Sequence, residues 1–147
     1  MDDAYELAIT CIPELLVPSG KIIIDGYINN KLVKILIDTG ANSSVIFTSS
    51  INRLNLNDIV DDEVDIKLNG IGMKKIHKAE GIIWYIELLL ANYNFPIALI
   101  VSASTKLSNT IDIVIGSNFL QKYEAQIDFK NMIIKFSDKY ELSFDYN

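Results

Sequence analysis

Arginine, histidine, cysteine and tryptophan each occur once in this chain of 147 residues, as Arg53, His77, Cys11 and Trp84. One cysteine allows no internal disulfide, and one histidine cannot build a His-based zinc site, so metal ligation through Cys and His is not expected. Thirteen Lys plus Arg stand against nineteen Asp plus Glu, giving a formal net charge of −6. Nucleic-acid binding draws on clustered basic residues to neutralise phosphates, and the only cluster is Lys74, Lys75 and Lys78; no nucleic-acid partner is expected. No segment reaches the roughly 18 to 20 apolar residues of a membrane span. The start, Met1-Asp2-Asp3, is acidic where a secretory signal is basic. These absences lead to the expectation of a soluble protein of a reducing compartment, the cytoplasm, without membrane or cofactor.

What the chain does have is apolar residues, 50 % of the total. That is ample for the core of one compact domain and excludes disorder as the main state. Most of the chain reads as strand. Lys21 to Ile28 is rich in β-branched residues and runs through Asn29-Asn30, a hairpin turn, into Lys31 to Ile37, whose end is apolar on both sides and therefore buried on both faces. Val64 to Leu68 alternates as a half-exposed strand. Ile82 to Leu90 and Phe95 to Val101 are strands joined by an Asn92-Tyr93-Asn94 turn. Ile111 to Ile115 is a short buried run. Gln126 to Phe129, a Lys130-Asn131 turn and Met132 to Phe136 close the chain as a hairpin.

Helices are few. Asp2 or Asp3 caps a short one through about Thr10, ended by Pro13. Ser117 to Tyr123 opens with Ser and Asn, which suit an N-cap, and puts Phe119, Leu120 and Tyr123 on one face. A third is expected near Ser49 to Leu56. The fold class is all-β with one or two short helices.

The chemistry concentrates at Ile35-Leu36-Ile37-Asp38-Thr39-Gly40-Ala41. A carboxylate ends an apolar strand, followed by a hydroxyl residue and a glycine free to turn sharply. An unpaired carboxylate is costly to bury, so something must protonate, bind or pair with Asp38. The alternative is an ordinary strand-end Asp that organises an Asx or ST turn. A second feature lies further along the chain: Asp112-Ile113-Val114-Ile115-Gly116, an apolar strand and glycine leading into a helix. The two halves echo each other, since Ala41-Asn42-Ser43-Ser44 and Ser117-Asn118 follow the respective turns. This is the pattern of an internal pseudo-repeat.

The run ILIDTGANSSVI together with IVIGSNFLQKYEAQIDFKNMIIKF resembles the retroviral-type aspartic proteases. Within these the chain looks most like the protease domain of the eukaryotic DNA-damage-inducible, ubiquitin-linked shuttle proteins. The resemblance spans roughly Lys21 to Phe136 and includes Asn69 to Ile76. It implies a retropepsin-like β-barrel or sandwich with one lobe per chain: residues 1–20 a helical or extended lead-in, 21–137 the protease domain, and 138–147 a tail or interface strand. Asp38 is then the catalytic aspartate, with Thr39 and Gly40 completing the active-site turn, Ala41 leaving room for substrate, and Ile115 and Gly116 packed beside it. Gly70, Ile71, Gly72, Met73 and Lys74 are implied as the substrate-binding flap of a hairpin. Without the resemblance, the same glycines read as a long hairpin loop.

Peptide cleavage without metal or covalent nucleophile takes two carboxylates around one water, sharing one proton because like charges about 3 Å apart cannot both ionise. The chain carries Asp-Thr-Gly once, so the expected active form is a symmetric homodimer with one Asp38 from each subunit. Expected substrates are extended protein or peptide segments, ubiquitinated proteins among them. A catalytically weak dimeric scaffold or peptide-binding module is the alternative. A small-ligand β-barrel explains the strands but not the paired motifs. Other residues carry blander expectations: His77 a solvated loop residue, Cys11 a packed small side chain, and Lys74, Lys75 and Lys78 a solvated face. Trp84 and Tyr85, adjacent on a strand, are expected on opposite faces, one in the core. The strictly alternating Tyr140 to Tyr146 is expected at a dimer interface, over an edge strand, or as a partly ordered terminus.

Overall fold

The computed structural model describes residues 20–64, 67–68 and 77–146, with the backbone alone for 67–68 and 77–78. The expected N-terminal helix, Cys11 and the flap residues 70–74 lie outside the described residues. β1 (Ile22–Ile28) and β2 (Lys31–Ile37) form an antiparallel hairpin in unbroken register from Ile22↔Ile37 to Ile28↔Lys31. Asn29 and Asn30 both take positive φ, 50° and 65°, the requirement of a two-residue turn whose twist matches its strands. β3 (Val45–Phe47) then enters a short helix, α1 (Thr48–Arg53). After a 3-10 turn come the two-residue strands β4 (Lys67–Leu68) and β5 (His77–Lys78), then the long strands β6 (Gly81–Leu90) and β7 (Tyr93–Ser102). β8 (Ile113–Ile115), the helix α2 (Ser117–Lys122) and strands β9 (Gln126–Asp128), β10 (Ile133–Phe136), β11 (Tyr140–Ser143) and β12 (Asp145–Tyr146) complete the order.

Seven strands join in the order β12-β1-β2-β8-β3-β7-β6, and a β1–β6 pairing at Tyr27↔Leu89 closes the sheet on itself as a barrel. A three-stranded sheet, β11-β10-β9, packs alongside. The core is aliphatic: Ile28, Val33, Ile35, Ile46, Ile83, Leu88, Leu99, Ile113 and Ile115 are completely buried. Burying each such side chain contributes about 1.5–3 kcal/mol. Phe95 anchors an aromatic cluster with Phe119, Tyr123, Phe136 and Tyr140 at centroid distances of 4.9–5.8 Å. It ties α2 and the small sheet to the barrel.

Several local expectations are corrected. The turn between β6 and β7 is Ala91-Asn92, with φ of 50° and 63°; Tyr93 and Asn94 already pair with Leu90 and Leu89. Polarity placed the turn late, but the left-handed backbone is what makes it. Val64 is outside any strand; Lys67–Leu68 form β4, and 65–66 lie outside the described residues. His77 lies in β5, paired with Leu68, rather than in a loop. The N-cap of α2 is Gly116, with no side-chain cap, and Ser117 is already helical. Trp84 and Tyr85 do not point to opposite faces. The register passes from Ile83↔Leu99 to Ile86↔Ile97, so two residues of β6 oppose Ala98 alone. This β-bulge cancels one step of the alternation and turns both rings outward, 62 % and 61 % exposed.

Candidate active site

The Asp38 turn and the Gly116 turn meet because β2 and β8 are parallel neighbours. Ile35, Leu36 and Ile37 pair with Ile113, Val114 and Ile115. Both strands therefore end at the same edge of the barrel, and the two pseudo-repeat turns emerge side by side. The Asp38 amide donates to the Ile115 carbonyl at 2.9 Å, extending the ladder by one bond to the base of the carboxylate-bearing residue. The chain then folds back tightly: the Gly40 amide donates to Asp38 Oδ1 at 2.9 Å and the Ala41 amide to the Asp38 carbonyl at 3.2 Å. Such an Asx-type turn fixes the carboxylate's orientation through its own backbone.

Beyond the turn, two further bonds stitch the arms together: Ser117 N–H to the Ala41 carbonyl at 2.7 Å and Asn118 N–H to the Asn42 carbonyl at 3.2 Å. Ser44, only 1 % exposed, stands between them. Its hydroxyl accepts the Gly116 N–H at 3.1 Å and donates to Asn118 Oδ1 at 2.9 Å. Gly116 can be nothing larger. A Cβ there would lie 2.5 Å from the Ser43 carbonyl oxygen and 2.7 Å from that of Ala41. The arm beneath the active-site turn passes too close for a side chain.

At the other end of β8, Asp112 fastens the unit from below. Its Oδ2 accepts the Lys34 amide at 2.8 Å, and Oδ1 accepts the Ser50 hydroxyl and the Arg53 guanidinium, both at 2.7 Å. Burial pushes its pKa up, but the Lys34 amide, the Ser50 hydroxyl and Arg53 outweigh it and hold the carboxyl below its ordinary value. The chain's single arginine also donates to the Leu32 carbonyl at 3.2 Å. One carboxylate thus joins β2, α1 and β8. Residue-by-residue motif reading missed this role. The available signal was a carboxylate inside an apolar strand run.

Asp38 and Thr39 are exposed, not buried, in the single chain. The Asx-turn geometry and the catalytic placement therefore coexist rather than compete. An open groove of about 440 Å³ runs beside them, lined by Ile22, Leu36, Ile37, Ile127, Phe129 and Tyr146 among others. Phe129 and Tyr146 remain 55 % and 46 % exposed, edge to face at 5.5 Å. Tyr146 belongs to β12, which pairs with β1 at Ile22↔Tyr146 and covers that end of β1. The β4–β5 pair brackets residues 69–76.

The closed barrel, the paired Asp-Thr-Gly and Ile-Gly turns and the small accessory sheet make up a retroviral protease-like fold. It matches the crystal structure of the retroviral protease-like domain of Ddi1 from Leishmania major with a TM-score of 0.72 over 87 % of this chain and 96 % of that one, at 23 % identity. The aspartyl protease family model matches residues 13–128, and the chain belongs to that family. Among curated proteins it is 26 % identical to DNA damage-inducible protein 1 of Saccharomyces cerevisiae and 27 % identical to Protein DDI1 homolog 1 of Caenorhabditis elegans, each over 94 % of its length. It spans only 30 % and 34 % of those relatives.

Proposed function

We propose that the chain is an aspartic endopeptidase that works as a symmetric homodimer, each subunit supplying one Asp38. The observation that carries this reading is an exposed Asp38 carboxylate, oriented by the Gly40 amide and rooted on the Ile115 carbonyl, at the rim of an open apolar groove. Two such carboxylates across a two-fold axis hold one water between them. The ionised member takes a proton from the water as its oxygen attacks the peptide carbonyl, while the protonated member donates to the developing oxyanion. The two carboxylates share one proton, because like charges that close cannot both ionise.

The exposed Phe129 and Tyr146 beside Thr39 support the dimer, since apolar rings at the rim of the groove gain from a partner surface. Thr39, in this proposal, bonds across the interface and steadies the paired turns. Substrate lies extended, held by main-chain hydrogen bonds with side chains in alternating pockets. Apolar residues are favoured next to the scissile bond, because Ile22, Leu36, Ile37 and Ile127 line the groove beside Asp38. On the resemblance alone, the substrates belong to ubiquitin-linked turnover in the cytoplasm and nucleus. The flap role of Gly70, Ile71, Gly72, Met73 and Lys74 likewise rests on the resemblance.

The test compares wild type with Asp38→Asn on a library of unstructured peptides from acidic to neutral pH. Cleavage by wild type and none by the variant supports the enzyme. Equal cleavage by both, or none by a demonstrably dimeric wild type, overturns it; the second outcome leaves a dimeric scaffold.

A further inference from the structure

The protease reading leaves unused the outer face of β6, where the bulge presents Trp84 and Tyr85 together. Neither ring lines the groove beside Asp38. Both are held in place rather than left loose: the Trp84 indole donates to Asp61 Oδ2 at 2.9 Å and the Tyr85 hydroxyl to Glu87 Oε1 at 3.1 Å. Asp61 is itself fixed, since its backbone bridges Ile82 in both directions and its Oδ1 accepts the Glu63 amide. A bulge commonly re-aims side chains toward a function. Here it keeps two large aromatic rings out of a core that Ile83 and Ile86 fill on either side.

The surroundings are acidic. Asp61 touches the Trp84 indole and Glu87, exposed, touches the Tyr85 hydroxyl, while Asp62 and Glu63, both exposed, follow Asp61 directly in the chain. The indole hydrogen bond and then the Glu63 amide hold the Asp61 carboxyl below its ordinary value, so it carries charge at neutral pH. An aromatic face with a carboxylate at its edge attracts cations twice, through the ring quadrupole and through direct charge. An arginine side chain satisfies both, stacking its plane on a ring while its fork meets a carboxylate. Tryptophan and tyrosine are also the residues that most often dominate binding energy at interfaces.

We propose that Trp84 and Tyr85, with Asp61 and Glu87, form a docking surface for an arginine- or lysine-bearing segment of a partner protein, separate from the Asp38 groove. This surface does not depend on whether the chain cleaves peptides. Its chemistry also selects against acidic segments, which the same carboxylates repel.

Trp84 is the only tryptophan, so one indole N–H resonance and the tryptophan fluorescence both report on this surface alone. The probe is acetyl-Gly-Arg-Gly-Arg-Gly-amide, titrated into the full chain beside peptides with serine or glutamate in place of arginine. The expected result is a saturable shift of the indole resonance with the arginine peptide only. Its affinity weakens at least about threefold when salt rises from about 0.05 to 0.3 M, as short Debye lengths require. The Asp61→Asn, Glu87→Gln double variant keeps one amide oxygen for each ring, gives up the Glu63 amide bond to the second Asp61 oxygen, and loses about threefold or more in affinity. The salt series on wild type tests the same charge dependence should that variant fold poorly. No saturable shift, an equal shift with the serine peptide, or affinity indifferent to salt overturns the proposal.

Discussion

The units β2–Asp38 and β8–Gly116 have the same backbone plan and divide the work. Each is an apolar strand ending in a tight turn that leads into a Ser/Asn segment, and they lie parallel with their residues in register. The first ends on an exposed carboxylate held by its own turn. The second ends on a glycine that no side chain can replace and begins on a carboxylate saturated by Lys34, Ser50 and Arg53. Thus one aspartate is presented to the outside and the other is spent on the frame. Chemistry needs a group with capacity to spare; support needs one with none.

The comparison is broken most severely at Asp38. Asp38→Asn is expected to lower peptide cleavage by at least about a thousandfold. The melting temperature of the single chain stays within about 2 °C of wild type, because an asparagine oxygen still accepts the Gly40 amide and isosteric changes at exposed sites rarely exceed ±0.5 kcal/mol. Loss of stability together with activity would make Asp38 a frame residue like Asp112.

Gly116→Ala is the next largest effect. Its Cβ must displace the Ser43 and Ala41 carbonyls, so urea unfolding should report about 3 kcal/mol of destabilisation. Activity also falls, since the displaced arm carries the active-site turn. A stable and fully active variant would show that the two turns are not mechanically joined.

Asp112→Asn comes third, costing about 2 kcal/mol, because an amide cannot accept from an amide, a hydroxyl and a guanidinium at once. The sign with pH follows from the lowered pKa of Asp112. Its contribution is complete above the unfolded-state value of about 4 and is lost as pH falls through the lower folded-state value. The stability gap between wild type and Asp112→Asn should therefore narrow as pH drops below about 4. A gap that widens toward acid would contradict the assignment. Ser44→Ala is the smallest, about 1 kcal/mol, for the acceptor lost by the buried Gly116 amide. Chemical denaturation of the two proteins measures it.

The sequence was most readable where local chemistry and tertiary structure agree. Asn29-Asn30 turns where adjacent asparagines tolerate positive φ. The apolar end of β2, the short β8 and the glycine after it were legible because burial on both faces leaves a continuous apolar run. Asp38 stood out as a carboxylate closing such a run. What was illegible arises from contacts distant in sequence. The bulge at Trp84-Tyr85 is a property of the pairing with Ala98, so alternation along β6 alone assigned the wrong faces. The clamp on Asp112 needs α1 folded back beneath β2, which no spacing announces. The capping role expected of Ser117 and Asn118 was displaced because Asn118 instead accepts the Ser44 hydroxyl across the two arms.

The account rests on one aspartate from each of two chains, and mixing tests it directly. Wild type and Asp38→Asn are combined at equal concentration, allowed to exchange subunits, and assayed on a cleavable peptide at fixed total protein. If each active site needs both carboxylates, only wild-type pairs cut, and about a quarter of the wild-type activity remains at random pairing. If one Asp38 suffices, or each chain acts alone, activity stays at about a half or higher, and the shared-dyad account is contradicted.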